Sequence, residues 1–348
     1  MDIEKFKNIL GPLRVFENES LSKHTYFKIG GPTRIFFEAK NIDDLKLALK
    51  TATELKIPFV ILGGGANVLV SDEGFGGLII KNRADAIKLV GIKGIIDKRG
   101  KGIKSAQVWC ASGTLMNQLA RFTIDQGLQG LEFLLSVPGT VGGGLKINAH
   151  YEVEKGEFLG NKLVSAVLFD PKNGEEKTVD FKYFEFGYDK SKIQQTAEIV
   201  LEALFKLETI EDKSSLWQKA MSDVKRRNEE QPIGIACSGC VFRNISDEDA
   251  KRLFTPNLTT STGYIIEKLG LKDRITIINQ KAQEVDYSQM DVIVFAAMAD
   301  PKYKILEKAS DTDYPRSIII RTPLGDTRAF YQGTYYEDLI GPIPASSL

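Results

Sequence analysis

Two glycine-rich segments carry the strongest chemical signal in the chain: Gly63-Gly64-Gly65-Ala66-Asn67 and Pro138-Gly139-Thr140-Val141-Gly142-Gly143-Gly144. Residues without a Cβ tolerate positive φ and let successive backbone N–H groups converge on one point, which is how a backbone cradles a pyrophosphate. The first segment follows the apolar run Phe59–Leu62 but lacks the G-x-G-x-x-G spacing and opening helix of a dinucleotide fold. Taken alone it reads equally as a tight turn with no ligand. The second adds Thr140, whose hydroxyl can donate to a phosphate or to a cofactor carbonyl. Two such segments, each flanked by apolar structure, are harder to explain as turns.

A second kind of chemistry lies near the middle of the C-terminal half. Read on its own, Cys240 is a small buried hydrophobe, as cysteine often is. With Cys237 it could instead be a redox pair, although the βαβ setting of such a pair is missing. Lys225, Arg226, Arg227 and Arg243 are candidates for binding a diphosphate. For Lys225 a solvated helical face is the better reading.

These groups need elements to hold them. Arg34–Glu38 is strand-like, and Asn41 reads as an N-cap, with Asp44 three residues on, for a helix through Leu45, Leu47, Ala48, Leu49 and Leu55. Phe59–Leu62, Val68–Val70 and Gly77–Ile80 read as short strands, so that Asn67 leads directly into one. Leu89–Ile96 suggests a strand pair, and Gln107–Cys110 a strand. Thr114–Gln126 is helical, with Gly127 as its C-cap. Leu163–Phe169 and Glu176–Val179 flank the turn Asp170-Pro171-Lys172-Asn173-Gly174 as a hairpin, and Ile199–Phe205 is a further strand. Glu211–Glu230 reads as a solvated helix leading into another domain. Short strands follow Pro232, including Asp291–Phe295 and Ser317–Arg321, with a helix at Tyr264–Leu269.

Composition excludes several function classes. Lys plus Arg and Asp plus Glu both number 46, so the basic surplus of a nucleic-acid-coating protein is absent. With 2 histidines and 3 cysteines (Cys110, Cys237 and Cys240), no metal site and no disulfide framework are expected, and a reducing compartment is implied. The Met1-Asp2-Ile3-Glu4 start lacks the apolar core of a signal peptide. No apolar run approaches the ~20 residues that span a bilayer. A cytoplasmic protein with no membrane and no nucleic-acid partner is therefore expected, its 348 residues making two or three domains.

The ordered motifs Thr25-x-Phe27-Lys28-Ile29-Gly30-Gly31-Pro32, Leu62–Asn67 and Val70-Ser71-Asp72 resemble the FAD-binding domain of the UDP-N-acetylenolpyruvoylglucosamine reductase family. Gly130-Leu131-Glu132-Phe133, Pro138–Gly143, Asn148, Phe186-Gly187-Tyr188, Gln231-Pro232 and Ser238–Asn244 continue the resemblance, which runs from about residue 20 to residue 273. It implies an α+β fold of the vanillyl-alcohol-oxidase type. Two subdomains, at residues 20–82 and 83–207, would hold FAD, and a C-terminal α+β domain at 208–331 would cover the substrate. An N-terminal segment (1–19) and an extended tail (332–348) would complete the chain. The implied activity is reduction of the enolpyruvyl ether of a UDP-sugar to UDP-N-acetylmuramate, for peptidoglycan precursor synthesis, with NADPH as co-substrate.

Residue by residue, the resemblance assigns Gly63, Gly64, Gly65, Ala66, Asn67, Gly139, Thr140, Val141, Gly142 and Gly143 to FAD. It assigns Tyr188, Arg243 and Asn244 to substrate and Cys240 to proton donation. The family's arginine after Phe-Gly-Tyr is replaced by Asp189, so positive charge would come from Lys190. Asn148-Ala149-His150-Tyr151 departs from the family's usual Gly-Ala-Tyr-Gly, leaving His150 either a flavin or substrate contact or a surface residue. The family's C-terminal Pro-Glu has only Pro315-Arg316 to match it, no histidine lies beyond residue 150, and the last ~75 residues depart from the pattern. These departures keep two alternatives open: a flavin oxidase or dehydrogenase acting on another substrate, and a flavin-binding homologue without catalysis that regulates or scaffolds.

Overall fold

The structure, a computed structural model, describes residues 2–96, 102–151, 156–230, 236 and 244–268, together with the short strands Ile275–Ile277, Val292–Val294, Phe330–Tyr331 and Thr334–Tyr335. It divides into two compact units, Met1–Ser238 and Gly239–Leu348.

The first unit begins with helix α1 (Ile3–Leu10), strands β1 (Val15–Ser20) and β2 (Pro32–Ala39), helix α2 (Ile42–Glu54), and strands β3 (Phe59–Leu62) and β4 (Phe75–Asn82). They make a four-stranded sheet in the order β1-β2-β4-β3, with β2, β4 and β3 parallel and β1 antiparallel at the edge. Asn41 caps α2 by accepting from the Asp44 amide at 2.8 Å, and Leu45, Ala48, Leu49 and Ala52 form its buried stripe. That stripe covers Ile35, Phe37, Leu78 and Ile80, and α1 adds Phe6, edge-on to Phe37 with ring centroids 6.4 Å apart. On the opposite face, strand alternation places Phe36, Leu62 and Ile79 in a smaller cluster with Leu21. Val68 and Val70 pack on this second cluster as irregular chain, not as the strand that their apolar run suggests.

Strands β5 (Ile87–Ile96) and β6 (Gly102–Ala111) follow, then helix α3 (Met116–Asp125), strand β7 (Leu128–Gln129) and helix α4 (Val141–Ile147). Strands β8 (Leu163–Asp170) and β9 (Glu175–Asp180), the short helix α5 (Ile193–Thr196), strand β10 (Ile199–Thr209) and helix α6 (Lys213–Glu230) complete the unit. The second sheet is antiparallel in the order β5-β6-β10-β8-β9, with β7 paired to the end of β10. The hairpin expected at 170–174 forms, closed by the Gly174 amide donating to the Asp170 carbonyl at 2.8 Å. Phe169 and Leu201 of this sheet join the cluster beneath α2, so that helix ties the two sheets together. The larger core gathers Val108, Leu119, Phe133, Val141, Leu145 and Phe205.

Helix α6 differs from the solvated helix that its charge suggests. Leu216 and Ala220 pack on Ile124 of α3. Lys219 reaches the buried carboxylate of Glu132 at 3.2 Å and Glu157 at 2.9 Å. A charged side chain with a long aliphatic stem can line an interface while its head finds a partner, and that is why polarity alone misplaces this helix.

In the second unit, α7 (Asp247–Arg252) is capped by Ser246, and α8 (Thr262–Lys268) occupies the helix expected near Tyr264. Strands β11 (Ile275–Ile277) and β12 (Val292–Val294) pair in parallel, and β13 (Phe330–Tyr331) with β14 (Thr334–Tyr335) antiparallel. The strand expected at 317–321 lies outside the described residues.

Candidate functional site

The two glycine segments, more than seventy residues apart in the chain, meet in space. A Cβ on Gly64 would sit 2.8 Å from the Gly139 Cα, and one on Gly63 would sit 2.3 Å from the Thr140 Oγ1. Both separations are shorter than real Cβ contacts, so glycine is what permits the approach. Gly65 adopts a φ of +77° and passes so close to the His24 carbonyl that a Cβ would lie 2.1 Å from its oxygen. The Gly65 carbonyl in turn accepts from the Tyr26 amide at 2.9 Å. Thus His24–Tyr26, Gly63–Gly65 and Gly139–Thr140 come together beyond the carboxyl end of β3. In open α/β sheets that edge is where ligands bind.

Donor availability differs sharply along this surface. None of the backbone N–H groups of Gly63, Gly64, Gly65, Ala66 and Asn67 donates to another described residue. The amides of the second segment are largely committed. Val141 donates to the Thr114 carbonyl at 2.9 Å, Gly142 to the Ser112 carbonyl at 2.8 Å and Gly144 to the Thr140 carbonyl at 2.7 Å. Gly143 donates to the Thr140 hydroxyl at 3.5 Å, which makes Thr140 the N-cap of α4. Among the described residues, Gly139 and Thr140 keep their own amides undonated, and the Thr140 hydroxyl still has its proton to give. A Cβ-intolerant junction whose amides, from Gly63 to Asn67, donate to no described residue fits the pyrophosphate of FAD.

Helix α4 carries this surface to a second cluster. It ends at Asn148, a left-handed residue (φ 51°) whose side chain donates to the Gly187 carbonyl at 3.0 Å and accepts from the Gly160 amide at 3.1 Å. Gly187 opens the turn that presents Tyr188, Asp189 and Lys190, closed by the Gly187 amide donating to the Lys190 carbonyl at 3.0 Å. The Tyr188 ring lies 4.8 Å from the His150 ring, which also meets Phe158 at 5.2 Å. His150 Nδ1 is 3.2 Å from the Asn148 carbonyl and 3.9 Å from the Asp189 carboxylate. The Lys190 side chain is exposed. Hydrogen bonding to Lys192 holds the Glu185 carboxyl below its usual range, with a smaller contribution from Lys190. Nearby, the Arg226 guanidinium stacks over Tyr151 at 4.8 Å and its Nε donates to the Tyr151 hydroxyl at 3.2 Å, whereas Lys225 is exposed beside Glu229.

The structure therefore brings Gly63–Asn67 together with Gly139–Gly143, and sets Tyr188 and Lys190 on one turn tied to α4. Cys237, Cys240 and Arg243 lie outside the described residues. Asn244 belongs to the second unit, where its side-chain oxygen accepts from the Thr262 amide at 3.4 Å. Sequence reasoning missed Lys81, a buried ammonium at the carboxyl end of β4, where burial lowers the pKa to about 8. Its signal is visible in hindsight: a lysine extending the apolar run Gly77–Ile80. Among the described residues there is no His/Cys/Asp/Glu cluster able to hold a metal ion. No described helix is long and apolar enough to cross a membrane.

Residues 33–180 match the FAD binding domain family. A UDP-N-acetylenolpyruvoylglucosamine reductase of Synechococcus sp. (strain RCC307) is 31% identical over 261 residues, covering 75% of this chain and 77% of that protein. The protein of the same name from Clostridium tetani is 29% identical over 299 residues, covering 81% and 91%. Among solved structures, the UDP-N-acetylenolpyruvylglucosamine reductase of Thermus caldophilus superposes with a TM-score of 0.57 at 28% identity, covering 74% of this chain and 81% of that one.

Proposed function

This chain belongs to the UDP-N-acetylenolpyruvoylglucosamine reductase family, and on that premise we propose that it reduces UDP-N-acetylenolpyruvoylglucosamine to UDP-N-acetylmuramate in peptidoglycan precursor synthesis. The observation that carries the reading is the junction of the two glycine segments, where Gly64 and Gly139 approach too closely for any side chain. FAD bound there supplies hydride transfer, with NADPH as the electron source.

The chain's own residues hold and orient. Amides of Gly63, Gly64, Gly65, Ala66 and Asn67 take the pyrophosphate oxygens, as successive backbone donors do in anion-binding nests. Gly139 would allow the cofactor's close approach, and the Thr140 hydroxyl and amide would offer it donors. Contacts of Val141, Gly142 and Gly143 with the cofactor would be apolar or through carbonyls, because the first two amides donate to the Thr114 and Ser112 carbonyls and the third to the Thr140 cap. Tyr188, Arg243 and Asn244 orient the UDP-sugar. Cys240 Sγ delivers the proton to the substrate carbon next to the one that accepts hydride, as a general acid. Lys190 supplies positive charge beside the developing enolate. FAD falls to residues 20–207 and substrate to 208–331, and the reaction is assigned to the cytoplasm.

One observation favours a second reading, a homologue that keeps flavin but has a changed substrate or no turnover. Asp189 places a carboxylate on the turn beside Tyr188, where an enolate would be repelled. Anaerobic titration separates the two. Flavin bleached by NADPH and reoxidised by the enolpyruvyl UDP-sugar supports the reductase. Bound flavin that NADPH never bleaches, or that the sugar never reoxidises, supports the second reading. In a competent enzyme Cys240→Ala retains flavin bleaching and loses turnover; unchanged turnover removes Cys240 from the chemistry.

A further inference from the structure

Lys81, the residue before the last of strand β4, is only 6% exposed. Its registered neighbours are Leu62 on β3, the residue immediately before Gly63, and Glu38 on β2. Strand alternation puts Lys81 on the face of Ile79, Phe36 and Leu62, the side on which Val68 and Val70 fold back. An ammonium has three protons to donate. Here the one hydrogen bond it makes to a described residue is long, 3.4 Å to the His24 carbonyl. Such a group is costly to bury unless an opposite charge or further acceptors complete its shell.

The charges around it do not complete that shell. Glu38, its cross-strand neighbour, lies 3.6 Å from Arg83. Arg83, on the chain just after β4, repels the ammonium and adds to the effect of burial, with Glu38 only partly opposing them. His24 stacks on Phe36 with centroids 4.4 Å apart and pairs with Glu19 at 3.0 Å. What does approach is the glycine cradle. The His24 carbonyl that receives Lys81 is the same oxygen against which Gly65 packs without room for a Cβ. Lys81 and the glycine segment, whose amides donate to no described residue, therefore meet at one carbonyl oxygen.

We propose that Lys81 is the charged half of the cofactor's anion site: a buried ammonium that neutralises the FAD pyrophosphate held by the amides of Gly63–Asn67. Backbone amides give direction but no net charge, whereas the pyrophosphate is a dianion, and a fixed cation beneath the cradle supplies the missing countercharge. The inference rests on FAD occupying the cradle and adds a residue to that site.

It has a thermodynamic signature. Without the anion, burial and Arg83 lower the Lys81 pKa to about 8, and the bound dianion raises it again. Below that pKa the ammonium is already charged and FAD binds at full strength. Above it, binding must take up one proton, so affinity falls by up to about tenfold per pH unit until the raised pKa of the complex is reached.

The test measures dissociation constants of FAD and of riboflavin, which has no pyrophosphate, for apoprotein between about pH 7 and about pH 10, alongside apoprotein melting temperatures. Wild type should lose FAD affinity above about pH 8 while riboflavin shows no matching loss. Lys81→Met, apolar and of similar length, should weaken FAD by about tenfold or more at neutral pH. It should flatten the pH dependence, leave riboflavin unchanged, and keep or raise the apoprotein melting temperature because a buried charge has gone. Equal weakening of FAD and riboflavin, or FAD affinity unchanged by the substitution, overturns the role of Lys81 and leaves the cofactor reading intact. Should Lys81→Met not fold, identical pH profiles for FAD and riboflavin in wild type overturn it by themselves. Wild-type apoprotein that takes up no FAD at all sinks both.

Discussion

The two glycine segments have similar compositions and opposite uses. Among the described residues, the amides of Gly63–Asn67 donate to nothing, and the segment packs against Tyr26, His24, Gly139 and Thr140. The stretch after Thr140 turns its glycines into helix. Gly142 and Gly144 face side chains across a packed interface, Gly144 so closely that a Cβ would meet Leu159 and the Met116 sulfur at 2.9 Å each. In both segments the missing side chains make room for the protein itself. What differs is the amides: among the described residues those of the first segment donate to nothing, while those of the second are largely committed. Glycine count therefore carries little information about ligand binding, whereas what each amide donates to carries a great deal.

This contrast fails if substitutions in the first segment unfold the protein, or if those in the second remove ligand without touching stability. Gly64→Ala should have the largest effect on binding. Its Cβ collides with the Gly139 backbone and pushes the segments apart, and we expect FAD affinity to fall by about a hundredfold, equivalent to about 3 kcal/mol. The measurement is FAD retained per protein after gel filtration, with apoprotein melting as a control that should move little. Asn148→Ala acts at the far end of α4. It removes both hydrogen bonds that tie Gly187 and Gly160 and leaves a left-handed backbone to a residue that disfavours it, a loss of about 2–3 kcal/mol in denaturant unfolding. Turnover should fall further than flavin content, since the turn carrying Tyr188 and Lys190 loses its anchor.

How far sequence reading went follows from the same contrast. The Asn41 cap, the stripe of α2 and the 170–174 hairpin are set by local chemistry, and they stand where the residues place them. Val68–Val70 looked like a strand because apolar runs share that signature, but these residues cover Leu21, Phe36 and Ile79 from a loop. Helix α4 was hidden because glycine disfavours helix by about 1 kcal/mol per residue, so Val141–Gly144 reads as loop until Ser112, Met116 and Leu159 are seen to require small residues there. Pairing between β4 and β3 brings Lys81 beside the residue that precedes Gly63, and no spacing rule reports that. The site's backbone was legible as motif, while its electrostatics belong to tertiary register.

Thr140→Ala gives a smaller and mixed effect. It removes the α4 cap, at a loss of about 1 kcal/mol, together with a donor beside Gly63. Thr140→Ser should restore both, so a serine variant that stays defective would mean the methyl group rather than the hydroxyl matters.

The smallest expected effect at neutral pH lies away from both segments and calibrates them. Glu198 is buried, which raises its carboxyl pKa, but hydrogen bonds from Lys177, Thr196 and Tyr183 outweigh burial and hold it below the usual range. Lys177 bonds it at 2.5 Å, Thr196 at 2.7 Å and the Tyr183 hydroxyl at 2.9 Å. A depressed folded-state pKa contributes stability that is present above the unfolded value, ~4.3, and is lost as pH falls through the folded one. Glu198→Gln should therefore make the melting temperature less sensitive to acid below about pH 4.3, while FAD affinity at neutral pH stays as in wild type. If flavin binding instead weakened along with acid stability, the cradle would be coupled to the β9 edge of the second sheet. The division between an open first segment and a structural second one would then be too simple.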